Sequence, residues 1–437
     1  MTQFVFTRRF WPLFGANTLG AFADNTLRMA TIVAVYAAFT AGGGGAFDLP
    51  WGLGEHAGSL VSVAFTLPVF IFSVIAGQLA DKVHRHVLIR QLKVIELILM
   101  ATAAVCFAMG NGPLLVLALF LMGTQSAFFS PVRNAVMPQY YEPQELIRAN
   151  GYYNAALFVA VVTGLGLGGY FVNQEGGRVT VSVMLIAAAA IGALLARFTP
   201  EAASPGLEKI NWNIPSVIVR QLGFVRGLKG LWYPMIGVAW FWMVGAAVLA
   251  NLPNYVGEDL GGGDAEISII QAIFAMGAGL GTMIAGIVGA KMKDSLFLAG
   301  AGVAGTVVGA GLIWGLTLGF DPSAGPLFSW ANAPLLSALA LTAAANGFFA
   351  VPLMTALQRR APEAERARVM GTANMTNGLA ATVGALFIPP LRSIGLSAAD
   401  IFLVLAILQL SLLIFMWRRK RTFRAAAAEA EAAVAGR

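Results

Sequence analysis

The sequence predicts an all-α membrane protein with twelve transmembrane helices in two pseudo-symmetric six-helix halves, and three observations carry that prediction. Of 437 residues, 58% are hydrophobic and only 11% are charged, with a mean hydropathy of +0.75, whereas a soluble domain carries about 25% charge. Apolar runs long enough to cross hydrocarbon come as six, a polar break, and six more. The basic residues, finally, collect on one side of those runs.

In chain order the runs cover 10–40, 57–80, 87–109, 113–130, 147–172 and 179–198, then 231–256, 266–290, 295–318, 333–357, 367–391 and 397–417. Each crossing needs about 20 apolar residues, so twelve use about 240, in line with the apolar share of the chain. The first run follows Arg8 and Arg9 but is too long for a signal sequence and reads as a retained span. The break at 199–230 holds Pro200, Pro205, Pro215, Glu201, Glu208, Lys209, Arg220, Arg226 and Lys229, a polar connector too short for an enzyme domain. Arg418 to Arg421 with Arg424 stop the last run against anionic headgroups. The Ala/Glu-rich tail beyond reads as solvated helix or disorder. The expected organisation is therefore 1–198 as the first half, 199–230 as a cytoplasmic linker, 231–417 as the second half, and 418–437 as a basic cytoplasmic tail.

Lys and Arg accumulate in short cytoplasmic loops. Only Arg178 and Arg392 fall in the opposite loops and only Arg28 is counted inside a span; every other Lys and Arg, Lys93 included, is assigned to one side. Both termini are then cytoplasmic. The outward loops, with Asp48 and Glu55 and with Glu258, Asp259, Asp264 and Glu266, contain no Lys or Arg.

Several function classes are excluded. The net charge of +7 is dispersed over loops, so no nucleic-acid partner is expected. The single Cys106 lies in an apolar run and supports neither a disulfide framework nor a cysteine metal site. His56, His84 and His86 are loop residues, and neither a metal nor another cofactor is expected. No phosphate-loop lysine motif occurs, so ATP is not the energy source. The glycine runs at 164–169 and 277–281 read as close helix packing.

The halves repeat one another. Gly77 to Lys82 follows span 2 and Gly286 to Lys291 follows span 8, with Asp81 replaced by Ala290. Glu145, Arg148, Gly151 and Asn154 after span 4 correspond to Glu365, Arg368, Gly371 and Asn374 after span 10. The segment Gly77-x-Leu79-Ala80-Asp81-Lys82-x-x-Arg85-His86 resembles the loop signature of the major facilitator superfamily, which implies the major facilitator fold. The glycine allows close helix approach and the aspartate accepts from a helix N-terminus and from arginines. The resemblance implies that Asp81 bridges to the start of span 11 and to Arg133 at the end of span 4, latching the cytoplasmic side, with Gly77 and Arg85 in the same gate. His84 stands where the family usually has glycine.

In span 1, Asn17, Asp24, Asn25 and Arg28 share one helix face, and Asp24 precedes Arg28 by one turn, the favourable order for an ion pair. Each charge costs about 2.5 to 3.5 kcal/mol at the bilayer centre. Two roles follow, lining a polar cavity or forming a structural pair. Spans 1, 4, 7 and 10 line the central cavity in this architecture, which adds Gln125, Asn251 and Asn346 as candidates, interhelical hydrogen bonding being the other role open to each. Trp240, Phe241, Trp242, Phe348 and Phe349 are candidates for an apolar wall, or for packing and lipid contact.

Three segments, Ala21 to Asn25, Ser130 to Arg133 with Glu145 to Asn150, and Gly347 to Pro352 with Leu357 and Gln358, together resemble the bacterial lysophospholipid transporter family, whose members are stand-alone transporters or the membrane half of transporter-acyltransferase fusions. Stand-alone members carry a basic residue in span 7; span 7 has none here, and Arg28 supplies a cation from span 1. No acyltransferase sequence follows span 12, so the chain is expected to be the transporter part. The resemblance implies a monomeric, multi-pass protein of the bacterial inner membrane. It implies movement of lysophospholipid, lysophosphatidylethanolamine in particular, to the cytoplasmic leaflet by alternating access, among membrane lipids and with a cytoplasmic acyltransferase as partner. Efflux of amphipathic drugs and a non-transporting scaffold or sensor are the alternatives.

Overall fold

The computed structural model describes residues 3–42, 45–50, 53–54, 57–172, 174–206, 209–292 and 296–435; Glu55, His56 and Glu208 lie outside them. Every regular element among the described residues is a helix, without a strand: α1 (Trp11–Thr40), α2 (Ala57–Lys82), α3 (Arg85–Met109), α4 (Gly112–Tyr140), α5 (Pro143–Val172), α6 (Gly177–Ala196), α7 (Ile214–Gly227), α8 (Lys229–Asn254), α9 (Asp264–Gly289), α10 (Leu296–Thr317), α11 (Ala333–Arg360), α12 (Arg366–Leu386), α13 (Ile388–Ser393), α14 (Ala398–Arg418) and α15 (Lys420–Ala435). Ten of these are long and apolar enough to cross a membrane. The helices at the first and eleventh expected spans, α1 and α12, are 30 and 21 residues long but carry Asn17, Asp24, Asn25 and Arg28, and Arg366, Arg368, Asn374 and Asn377, which lowers their hydropathy.

Local chemistry sets the ends. Gly110 closes α3 in the left-handed region at φ +64°, where a side chain would be strained. Asn111 then caps α4 by accepting from the Leu114 amide at 3.0 Å, and Ser397 with Asp400 forms a capping box on α14. One expectation is corrected and two gain detail. The eleventh run breaks after Leu386 into α12 and α13, because Pro389 and Pro390 supply no amide donors. The linker contains α7, whose Val217 is buried against Val74 and Met375. The tail is the helix α15, with the Phe423 ring 4.7 Å from that of Tyr233 and 5.9 Å from that of Phe415.

The chain divides into two compact units, Met1–Glu142 with Val159–Leu222 and Pro362–Met375, and Pro143–Phe158 with Gly223–Ala361 and Thr376–Arg437. The first unit packs α1 on α6, α2 on α4 and α3 on both α4 and α6, around Leu27, Val35, Met100, Phe107, Leu115, Met122 and Leu185. The second packs α11 between α9 and α10, with α14 on α10, around Leu252, Tyr255, Ile270, Ile313, Leu339 and Phe402. The start of α5 joins the second unit and the start of α12 joins the first; these are the segments that the sequence repeat aligns.

Candidate functional site

The gate residues assemble inside the first unit, where α2 crosses the start of α12. A methyl group on Gly77 would lie 2.6 Å from the Ala367 carbonyl oxygen and 2.7 Å from the Arg368 Cα, so only glycine permits this approach. One turn on, Asp81 is fully buried. Its carboxylate accepts from the Ala367 and Arg368 amides at 3.3 Å each, from Arg368 Nε at 3.2 Å and from Arg85 Nη2 at 3.1 Å. The bridge to span 11 is thus formed as the motif implies.

Arg133 is not a partner of Asp81. It donates to Asn17 at 2.6 Å and to Asn134 at 2.9 Å, while Arg85, also fully buried, takes the place by Asp81 and reaches the Ala135 carbonyl at 3.4 Å. Arg85 lies one turn beyond Asp81, so the helical register brings it there. His84 fits its turn because the backbone there has φ −52°, which any residue adopts.

The face of α1 gives a second correction. Asp24 accepts from Ser126 Oγ on α4 at 2.9 Å and forms no ion pair with Arg28, which is half-buried and has no hydrogen-bond or ion-pair partner among the described residues. Lys93 and Glu96 on α3 lie against Gly20, one turn before Asp24. Asn25 turns back to the Ala21 carbonyl at 2.8 Å.

Lys93 does not belong to a cytoplasmic loop. It lies inside α3, 1% exposed, and donates to Glu96, 2% exposed, at 2.6 Å. Gln125 on α4 donates to the same Glu96 oxygen at 3.1 Å, and the Lys93 ammonium sits 4.4 Å from the Phe129 ring centre. Space for the pair is left by Gly20 on α1, where a methyl group would meet the Lys93 ammonium and lie 3.0 Å from Glu96 Oε1. Both lie in the apolar run 87–109, yet Lys93 was counted to the cytoplasmic side and Glu96 passed over; a Lys and a Glu three apart inside an apolar run was the available signal. Asp24, Lys93, Glu96, Gln125 and Ser126 therefore form one polar centre on α1, α3 and α4.

The second-half candidates lie in the second unit. Asn251, fully buried, donates to the Ala398 carbonyl at 2.8 Å, at the start of α14. Asn346 lines a small cavity of about 20 Å³ with Thr306, Thr342 and Gln409, room for about one water molecule. Trp240 donates to Gln409 at 2.7 Å, and Gln409 to Thr306 at 3.0 Å. Phe348 packs against Ile147 and Ala285. Phe241 and Phe349 are core residues together with Trp240 packed against them, and Trp242 is exposed with its ring 5.5 Å from that of Phe241.

An all-helical fold with ten helices long and apolar enough to cross a membrane, a glycine-aspartate contact from α2 to the start of α12 and a charged centre on α1, α3 and α4 defines a polytopic membrane protein. The family model of the Major Facilitator Superfamily matches residues 13–385 and again 235–435, and the chain belongs to that superfamily. It is 25% identical over 357 residues to lysophospholipid transporter LplT of Escherichia coli O1:K1, covering 79% of each chain. Its likeness to lysophospholipid transporter LplT of Shigella flexneri is 26% over 356 residues, 79% of this chain and 78% of the relative. Among solved structures, the human organic anion transporter MFSD10 (TETRAN) matches with TM-score 0.68 at 14% identity, over 93% of this chain and 99% of that one. The proton:xylose symporter XylE matches with 0.64 at 14%, over 93% and 95%. These two establish the fold.

Proposed function

We propose that the chain is a lysophospholipid transporter that moves lysophosphatidylethanolamine from the outer to the cytoplasmic leaflet of the bacterial inner membrane. The observation that carries this reading is the likeness to the LplT relatives over 79% of the chain. The residues are consistent with it. A zwitterionic headgroup needs a carboxylate and a cation, and α1 offers Asp24 and, one turn on, the unpaired Arg28, whose fork suits phosphate. The halves 1–198 and 231–417 rock in alternation about the site, both termini lie in the cytoplasm, and Gly77, Asp81, Arg85 and Arg368 close the cytoplasmic crossing. Fluorescent lysophosphatidylethanolamine in the outer leaflet of vesicles holding the purified protein tests this. The lipid should become protected from albumin extraction faster than in protein-free vesicles. Unchanged protection, with transport of an amphipathic cationic dye in the same vesicles, would replace the reading with drug efflux.

A further inference from the structure

The headgroup reading gives no role to Lys93 and Glu96, although both are almost fully buried inside a membrane span. Their surroundings contain two carboxylates, Asp24 and Glu96, but one ammonium. Glu96 Oε2 is well supplied, taking Lys93 and Gln125, and Asp24 Oδ2 takes Ser126. The second oxygen of each carboxyl, Glu96 Oε1 and Asp24 Oδ1, is buried and has no donor. Glu96 Oε1 lies against α1 at Gly20, one turn before Asp24. Two acceptors without donors and one uncompensated negative charge, both in a region of low dielectric, share one remedy, a bound cation that is also a donor.

The other charged side chains on the neighbouring elements bond neither carboxyl. On α1, Arg28 forms no hydrogen bond or ion pair with Asp24. α4 brings the neutral Gln125 and Ser126, and its cation Arg133 donates to Asn17 and Asn134. α5 packs on α1 through Gly164 and Gly168, beside Phe22, Asn25 and Thr26, and α6 approaches through Gly192 beside Ala16 and Leu19. On α2 the acid, Asp81, is engaged at the far end with Arg85 and Arg368.

We propose that Asp24, Glu96 and Lys93 form a proton-binding site that holds one exchangeable proton on its carboxyl pair. A proton from water adds to a carboxylate oxygen, an O–H bond forms, and the new hydroxyl is the donor that the orphan oxygens lack; the three groups then sum to zero charge. In a transporter of any substrate, such a proton is a coupling ion when the two sides of the membrane load and release it.

The charge count makes the test quantitative and independent of substrate. Infrared spectra of the detergent-purified protein at neutral pH resolve protonated carboxyls by their carbonyl band. Relative to the parent protein, Asp24→Asn and Glu96→Gln should each lose one protonated carboxyl, because one acid and one lysine balance without a proton. Lys93→Gln should gain one, because two acids then need two protons. Arg28→Gln should leave the count unchanged. Size-exclusion profiles identify folded variants, and the Asp24 and Glu96 variants decide the matter if Lys93→Gln does not fold. The proposal is overturned if the band is the same in parent, Asp24→Asn and Glu96→Gln. It is equally overturned if sodium ions abolish the band in the parent, which would assign the site to a metal cation. Lack of lipid flux would leave this result untouched, so the two readings fail separately.

Discussion

Replacing Asp81 by Asn isolates the charge of the latch while keeping its shape. The parent carboxylate accepts four hydrogen bonds, two of them from arginines, and both Asp81 and Arg85 are wholly shielded from solvent. The substitution puts an amide donor against those donors and strands the Arg85 guanidinium. Removing one member of a buried pair costs about 3 to 5 kcal/mol. Arg368 is 15% exposed and recovers some hydration, which places the loss at the lower end, about 3 kcal/mol. At 1.4 kcal/mol per factor of ten, the crossing of α2 and α12 should open about a hundredfold more often. Met370 on α12 is fully buried, so a cysteine there, in a Cys106→Ala background, reports opening through its maleimide labelling rate. The rate should rise by about two orders of magnitude in Asp81→Asn. An unchanged rate in a monodisperse, folded variant would refute the latch.

A reporter fused after residue 200 should read as cytoplasmic and one after residue 260 as periplasmic; the same side for both would break the two-half topology. Gly77→Ala places a methyl against the backbone of α12 and should lower thermal stability by about 1 to 3 kcal/mol, while Gly378→Ala, whose methyl meets nothing within 4 Å, should lower it not at all. Asp24 and Arg28 share no bond, so a double-mutant cycle of Asp24→Asn and Arg28→Gln on detergent stability should close to within about 0.5 kcal/mol. A coupling above about 1 kcal/mol would restore the intrahelical pair.

How much could be read beforehand differs by element for physical reasons. Apolar length alone marks the helices from α2 onward that face lipid, because hydrocarbon imposes a minimum run on every crossing. The contact of α2 with the start of α12 was legible too, since Gly77 and Asp81 act through backbone approach and helix-start amides, which depend little on surrounding side chains. Partner choice was not. Asp24 was paired with Arg28 on spacing, yet spacing gives only a shared helix face, and Ser126 from α4 offers the donor that tertiary packing brings closer. Arg133 was lost to Asn17 for the same reason. Lys93 was misplaced because positive-inside counting treats every lysine near a loop as solvated, whereas Gly20 on another helix creates the space in which this one is buried. The helix α7 was hidden by its proline and charges, and becomes visible only through the burial of Val217.

The repeat predicted from sequence reappears as two matching crossings, and their difference bears on how the molecule moves. In the first unit Gly77 lies against Arg368 and Gly371 against Ser73. In the second, Gly286 lies against Arg148 and Gly151 against Thr282. The same glycines meet the same aligned positions, so the backbone approach is conserved between the halves. The acceptor is not, since Asp81 has Ala290 as its counterpart. At that position the α2 crossing is held by charge as well as by close packing, and the α9 crossing lacks the carboxylate. Buried ion pairs break sharply once water enters, while packed glycine contacts can slide by small steps. The α2 crossing therefore carries a charge-dependent contact that the α9 crossing lacks at the aligned position.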